Sequence, residues 1–150
     1  KKLLGRDITD EEFYNIINTN LYSVFALTQE VSNYMIHEKE GVIINISSIW
    51  GQVGASCESI YSVTKAGIDA LTKSLAKEFG PSNIRVNSIA PGIIDTKMNS
   101  NLTEKEKQNI IEEIPIQRIG KPEDIAKCVN WLINDKYTTG QVININGGWI

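Results

Sequence analysis

A tyrosine and a lysine four residues apart, Tyr61 and Lys65, open an apolar run of helical spacing, and a serine pair, Ser47-Ser48, closes a strand-like apolar run before it. Residues i and i+4 lie on one helix face, so a phenol and an ammonium can point into the same small volume. A free tyrosine loses its proton only near pH ~10, and a neighbouring cation favours the phenolate. Lys65 is therefore expected to lower the Tyr61 pKa toward the range useful for proton transfer. A serine hydroxyl at the strand end could hold a carbonyl oxygen beside that acid. A lone Tyr-x-x-x-Lys also occurs as a solvated pair on many helices, so the surrounding elements decide between the two.

Those elements are legible from pattern. Thr9 and Glu12 form a capping box ahead of Phe13, Ile16, Ile17, Leu21, Val24, Leu27, Val31 and Tyr34, which predicts one long amphipathic helix from about Asp10 to His37 with Asn20 in its apolar stripe. Gly41 releases the chain into Val42-Ile43-Ile44-Asn45-Ile46, a continuous apolar run of the buried parallel-strand kind. Residues 47–59 read as a loop. A second helix is expected over 60–79, stopped by Gly80-Pro81, followed by a strand over 84–90 that ends at Pro91-Gly92. Helices over 104–114 and 122–133, the latter with Pro122 in its first turn, precede a last strand over 141–145. Helices alternating with buried-type strands predict an α/β fold with a parallel sheet.

Composition narrows the function classes. The chain has 150 residues, a formal charge of −3 and 41% hydrophobic residues, enough for one domain with a real core. No basic cluster suggests a nucleic-acid groove, and no apolar run approaches membrane-spanning length. Cys57 and Cys128 are the only cysteines and show no metal-ligand spacing, which points to reduced thiols, no zinc site and a cytoplasmic setting. Trp50, Cys57 and Met98 are candidates for substrate contact. His37 reads as a solvated residue near a helix end, and the charged run from Glu104 to Lys107 as an exposed helix face.

In order along the chain stand Asn20-Leu21, the strand into Ser47-Ser48, Tyr61-Ser-Val-Thr-Lys65, Ile84-Arg-Val-Asn87, Pro91-Gly-Ile-Ile-Asp-Thr96, Arg118-Ile-Gly-Lys-Pro122, Thr139-Gly-Gln141 and Asn146-Gly-Gly148. In this set the chain resembles the short-chain dehydrogenase/reductase family, over nearly its whole length. It looks most like the 3-oxoacyl-(acyl-carrier-protein) reductases. Within that neighbourhood, Ser47-Ser-Ile-Trp-Gly51 with Gly54-Ala-Ser-Cys-Glu58 looks especially like the elongation factor P 5-aminopentanone reductase group, which reduces a ketone on a modified lysine of a translation factor.

The resemblance implies a Rossmann-like doubly wound sheet and a catalytic set of Asn20, Ser48, Tyr61 and Lys65. Tyr61 would give its proton to the carbonyl oxygen, and Lys65 would hold the nicotinamide ribose and depress the tyrosine pKa. Ser48, thirteen residues before Tyr61, would orient the substrate in preference to Ser47. Asn20 would kink the long helix and hold a relay water near Lys65. Tyr61, Lys65, Pro91, Gly92, Ile94 and Thr96 would contact an NAD(H) or NADP(H) cofactor, with NADPH favoured by resemblance alone and Ile94 acting through its backbone. No metal is implied.

The Gly-rich phosphate turn, the residue that selects NAD or NADP, and the Asn-Ala-Gly type turn of family members are not found within these residues. Residues 1–150 are therefore expected to be the C-terminal catalytic part of one such domain, about its last three-fifths, with a sheet edge left open and Lys1-Lys2 directly ahead of a helix. Partners implied are a ketone on acyl carrier protein or elongation factor P, and further copies of the protein in a tetramer packed through the two long helices. The competing expectation is a non-catalytic remnant that serves as an oligomerisation or binding module.

Overall fold

The three Ile/Val-rich runs form parallel strands because each is apolar on both faces and must be covered on both. The computed structural model describes residues 3–150, so Lys1 and Lys2 lie outside the described residues. Strands β1 (Gly41–Ile46), β2 (Ile84–Pro91) and β3 (Val142–Ile145) pair in the order β1-β2-β3, with Ile43 opposite Val86 and Ile89 opposite Ile143. Side chains of β2 alternate between two cores. Ile84 and Val86 pack with Leu75 and Ala76, whereas Ile89 packs with Cys128 and Leu132.

The helices follow that division. α4 (Ser59–Phe79) covers one face and α6 (Pro122–Asn134) the other. Both crossovers step the same way across the sheet but pass on opposite faces, so they have opposite hands. One of them therefore departs from the right-handed rule for parallel connections. Between the two helices the chain leaves β2 and forms α5 (Glu104–Glu113). That helix starts with a capping box of Thr103 and Glu106, which the sequence reading did not use.

The long N-terminal helix differs from expectation in one informative way. It runs as α1 (Asp10–Ile17) and α2 (Ser23–Glu38), joined without a break in the helical path by a π turn over Asn18–Tyr22. The Thr9–Glu12 capping box is present as read, with the Thr9 hydroxyl accepting the Glu12 N–H at 3.2 Å. The π turn packs against α4, where the Leu21 side chain lies over Gly67. A π turn makes room for a wider i→i+5 ring and recurs at functional positions in helices. Here it carries Asn20.

The segment expected as a loop over 47–59 also contains a helix, α3 (Trp50–Val53). It forms because a short 3₁₀/α turn can seat directly on α4. A Cβ on Gly51 would fall 2.8 Å from the Ala66 nitrogen and from the Lys65 carbonyl carbon. Composition alone could not reveal that contact.

Candidate active site

All three parallel strands end at one edge of the sheet, the edge where open α/β folds present their ligand-binding loops. β1 delivers Ser47 and Ser48 there, β2 delivers Pro91-Gly92, and β3 delivers Asn146-Gly147-Gly148. α4 starts at the same edge, with Tyr61 in its first turn and Lys65 one turn further in.

The structure separates the two serines. The Ser47 hydroxyl donates to the Lys65 backbone carbonyl at 3.2 Å and its N–H to the Ile89 carbonyl at 2.7 Å, so Ser47 ties β1 to α4 and β2. The Ser48 hydroxyl accepts the Trp50 N–H at 3.2 Å and lies close enough to the Tyr61 phenol to lower its pKa. Lys65 donates through Nζ to the Ile46 carbonyl, the last of β1, at 3.0 Å, and its ammonium lies 5.5 Å from the centre of the Tyr61 ring. Ser48, Tyr61 and Lys65 are thus brought together. Asn20 stands on the π turn that packs on the α4 segment following Lys65.

The expected lowering of the tyrosine pKa by Lys65 is not what this arrangement produces. Burial pushes the Tyr61 phenol above its ordinary value; the Ser48 hydroxyl pulls it down and the Glu58 carboxylate pushes it further up. Burial of the ammonium likewise lowers the Lys65 pKa, offset in part by the Asp69 carboxylate. Desolvation dominates, with the Lys65 ammonium engaged by the Ile46 carbonyl and set over the tyrosine ring. Asp69 is itself buried and accepts a hydrogen bond from the Ser88 hydroxyl at 2.9 Å.

A cleft of 1110 Å³ opens over this pair. Trp50 and Met98 line it together with Ser48 and Tyr61, as does Gly92. Cys57 is not part of the lining. It lies in the turn before α4 at φ +62°, a conformation that aims the thiol at Ser56 (3.7 Å to its Oγ). Glu58, which closes the Gly54–Glu58 stretch, also lines the cleft, whereas sequence reasoning missed Trp149. Trp149 reaches the cleft from the end of the chain, packing edge-on against Trp50 at 5.4 Å and donating from its indole N–H to Glu113 at 3.2 Å. Its only sequence signal is an aromatic after Gly147-Gly148, which specifies no target.

The Pro91–Thr96 segment is built as a rigid ledge beside the cleft. The Pro91 carbonyl accepts the Ile49 N–H at 3.1 Å, and the Gly92 N–H donates to Ile145 at 2.9 Å. Pro91 is the last residue of β2 and not outside it. A Cβ on Gly92 would meet Asn146 at 2.9 Å. Ile94 bridges to Gly120, and its carbonyl accepts from the Asn99 amide at 2.7 Å, while Thr96 is exposed at the start of a short 3₁₀ turn.

Arg118 forks onto Asp124 at 2.7 and 3.1 Å and so fastens the turn carrying Gly120 to the first turn of α6. That pair, with the Lys121 N–H, brings the Asp124 carboxyl from its ordinary 3.8 to about 2. A depressed carboxyl pKa contributes stability above its unfolded value and loses it as pH falls through the folded value. The acid-side loss of stability between pH 3.8 and about 2 should therefore be blunted in Asp124→Asn, measured by thermal melting across that range. By the same linkage the variant should be less stable at neutral pH by about the amount it fails to lose in acid, and solvent screening of the half-exposed Arg118 keeps that amount small.

Comparison with known proteins supplies the remaining observations. The family description Enoyl-(Acyl carrier protein) reductase matches residues 3–150. The chain is 42% identical to an uncharacterised oxidoreductase of Bacillus subtilis, over 95% of this chain and 60% of that protein. It is 43% identical to a 3-oxoacyl-(acyl-carrier-protein) reductase of Thermotoga maritima, over 94% of this chain and 58% of that one. The crystal structure of a 3-oxoacyl-(acyl-carrier protein) reductase from Brucella melitensis superposes with a TM-score of 0.94 at 29% identity, covering 99% of this chain and 57% of that one. The chain thus spans about three-fifths of the length of the curated relatives it matches.

Proposed function

The chain belongs to the short-chain dehydrogenase/reductase family, and from that premise we propose that the protein reduces a ketone to an alcohol with NAD(P)H, using Ser48, Tyr61 and Lys65. The observation that carries this reading is the meeting of a buried serine hydroxyl and a phenol in one cleft, with a lysine ammonium behind them.

The chemistry follows from those groups. Two donors, the Ser48 hydroxyl and the Tyr61 phenol, converge where a carbonyl oxygen would accumulate charge, and preorganised donors there stabilise the developing alkoxide. A phenol pKa held high keeps Tyr61 protonated at neutral pH, so it enters the reaction as an acid. Ser48 orients the carbonyl, and Lys65 fixes the helix register through the Ile46 carbonyl. Asn20, on its π turn, is assigned the support of Lys65.

The residues present fit a nicotinamide cofactor: Gly92 lines the cleft with Ser48 and Tyr61, held there by its close packing on Asn146, and Thr96 further along the same segment is exposed. Pro91, Gly92, Ile94, Thr96, Tyr61 and Lys65 would hold its nicotinamide half. That group, when bound, supplies the hydride. NADPH is our choice over NADH, by analogy with the 3-oxoacyl-(acyl-carrier-protein) reductases.

The substrate reading is a carbonyl carried on another molecule, either a 3-oxoacyl chain on acyl carrier protein or a ketone on elongation factor P. We favour the latter on the segment from Ser47 to Glu58. The complete protein should be offered NADPH with an acetoacetyl thioester and, separately, with elongation factor P bearing the ketone. Selective reduction of the protein-bound ketone is expected, and selective reduction of the thioester would overturn that choice while keeping the reductase assignment. No turnover of either would favour a binding module.

Assembly is proposed through the long helices. Leu27 and Tyr34 on one side of α2, exposed at 66% and 71%, and Val63 on α4, exposed at 52%, offer apolar side chains suited to a second copy. Among the described residues no helix is long and apolar enough to cross a membrane. The cytoplasmic assignment rests on the two cysteines, whose number and spacing favour reduced thiols.

A further inference from the structure

The lining of the catalytic cleft has a one-sided charge. Among the described residues that form it there are two carboxylates, Glu58 and Glu106, and no lysine or arginine. Glu106 is committed to the capping box of α5, where it accepts the Thr103 N–H and hydroxyl, each at 2.8 Å. Glu58 is different. It is the residue immediately before α4, and its side chain does not cap that helix. It lines the cleft together with Tyr61, three residues on, and its charge is among those felt at the phenol.

Two tryptophans complete the wall. Trp50 and Trp149 meet edge-on at 5.4 Å, and Trp149 is steadied by its indole bond to Glu113. A carboxylate beside aromatic faces is a cation's environment: the charge attracts it, and tryptophan offers the strongest π face for an ammonium group. The same wall disfavours an anion: among the described residues no lysine or arginine lines the cleft, and the Lys65 ammonium is set behind the Tyr61 ring and bound to the Ile46 carbonyl.

We propose that Glu58, with the Trp50–Trp149 pair, is a specificity element that selects ketones carrying a cationic group near the carbonyl and rejects anionic ones. This rests on the ketone-reductase reading of the cleft but not on the choice between its two carrier substrates. A like charge in the substrate costs binding and an opposite charge adds to it, so the preference appears in kcat/KM and is expected to be roughly tenfold or more for each unit of charge.

The test uses the complete protein, NADPH and three ketones of similar shape: 5-(trimethylammonio)pentan-2-one, its neutral isostere 6,6-dimethylheptan-2-one, and 5-oxohexanoate. The expected order is cation, neutral, anion. In Glu58→Gln the cation-to-neutral ratio should collapse toward one, and in Glu58→Lys the anion should overtake the cation, a reversal that a merely structural role for Glu58 would not produce. Binding is followed independently through tryptophan fluorescence in a Trp131→Phe background, because Trp131 lies on α6, across the sheet from the cleft. Quenching by the cationic ketone should weaken in Glu58→Gln. Equal use of all three ketones, or a cation preference unchanged in Glu58→Gln, would overturn the proposal while leaving the reductase reading intact. Failure to reduce any ketone, with no fluorescence response to the cation, would overturn both.

Discussion

Replacing Tyr61 by phenylalanine should lower ketone reduction by the complete protein by roughly 10²- to 10⁴-fold, the range contributed by a positioned general acid. Cofactor affinity should change little. The substitution removes one oxygen from a half-buried ring and leaves the ring itself in place, so packing of α4 is preserved. The loss should fall on kcat, because Ser48 can still hold the carbonyl oxygen in the ground state. The pH profile of the parent protein gives a second check. An acid must be protonated to act, so activity should fall as pH rises through the phenol pKa. Burial and Glu58 both raise that value, so the fall should lie on the alkaline side of the ordinary tyrosine titration. Steady-state kinetics with direct nucleotide titration decide the matter. Unchanged turnover in Tyr61→Phe would remove Tyr61 from the chemistry.

A second large effect is expected at a residue with no part in the chemistry. Gly51→Ala should cost about 1–3 kcal/mol of stability, as overpacking typically does, and should also depress kcat. The added methyl would lie 2.8 Å from the Ala66 nitrogen and the Lys65 carbonyl carbon. Both are helix backbone and cannot turn aside as a side chain would, so α3 must lift off α4. That movement carries Trp50 with it and disturbs Ser48, whose hydroxyl accepts the Trp50 N–H. Displacement of a positioning group by about 1 Å can cost on the order of 10²-fold in rate. Gly80→Ala is the matched control. Its methyl meets nothing within 4 Å, and its backbone is already helical at φ −51°. Melting temperature and kcat, measured for both variants, separate a local clash from a general intolerance of alanine at glycine positions.

The lesson of the two serines is instructive for what can be read without a structure. Spacing from Tyr61 singled out Ser48 by resemblance alone, whereas the folded chain supplies a physical reason to distinguish them. Ser47 spends its hydroxyl on the backbone of α4, and Ser48 turns toward the phenol. Alternation along an extended chain sends neighbours to opposite sides, but which side meets α4 depends on how the helix docks.

Much of the architecture was legible for a similar reason. Apolar runs of strand length at 42–46 and 84–90, a capping box at Thr9 and Glu12, and Gly80-Pro81 after an amphipathic helix are local signals, and each element depends mainly on residues inside it. Tyr61 and Lys65 share a face by helix geometry alone. The tertiary structure decided everything that depends on residues distant in sequence. It set α3 on α4 through Gly51, brought Trp149 from the chain end to Trp50, and sent the two crossovers to opposite faces of the sheet. It also reversed the expected shift of the Tyr61 phenol. Helix spacing specifies that a cation is near, but burial, the Ile46 carbonyl and Glu58 determine the local field, and these come together only when strand, turn and helix close on one another.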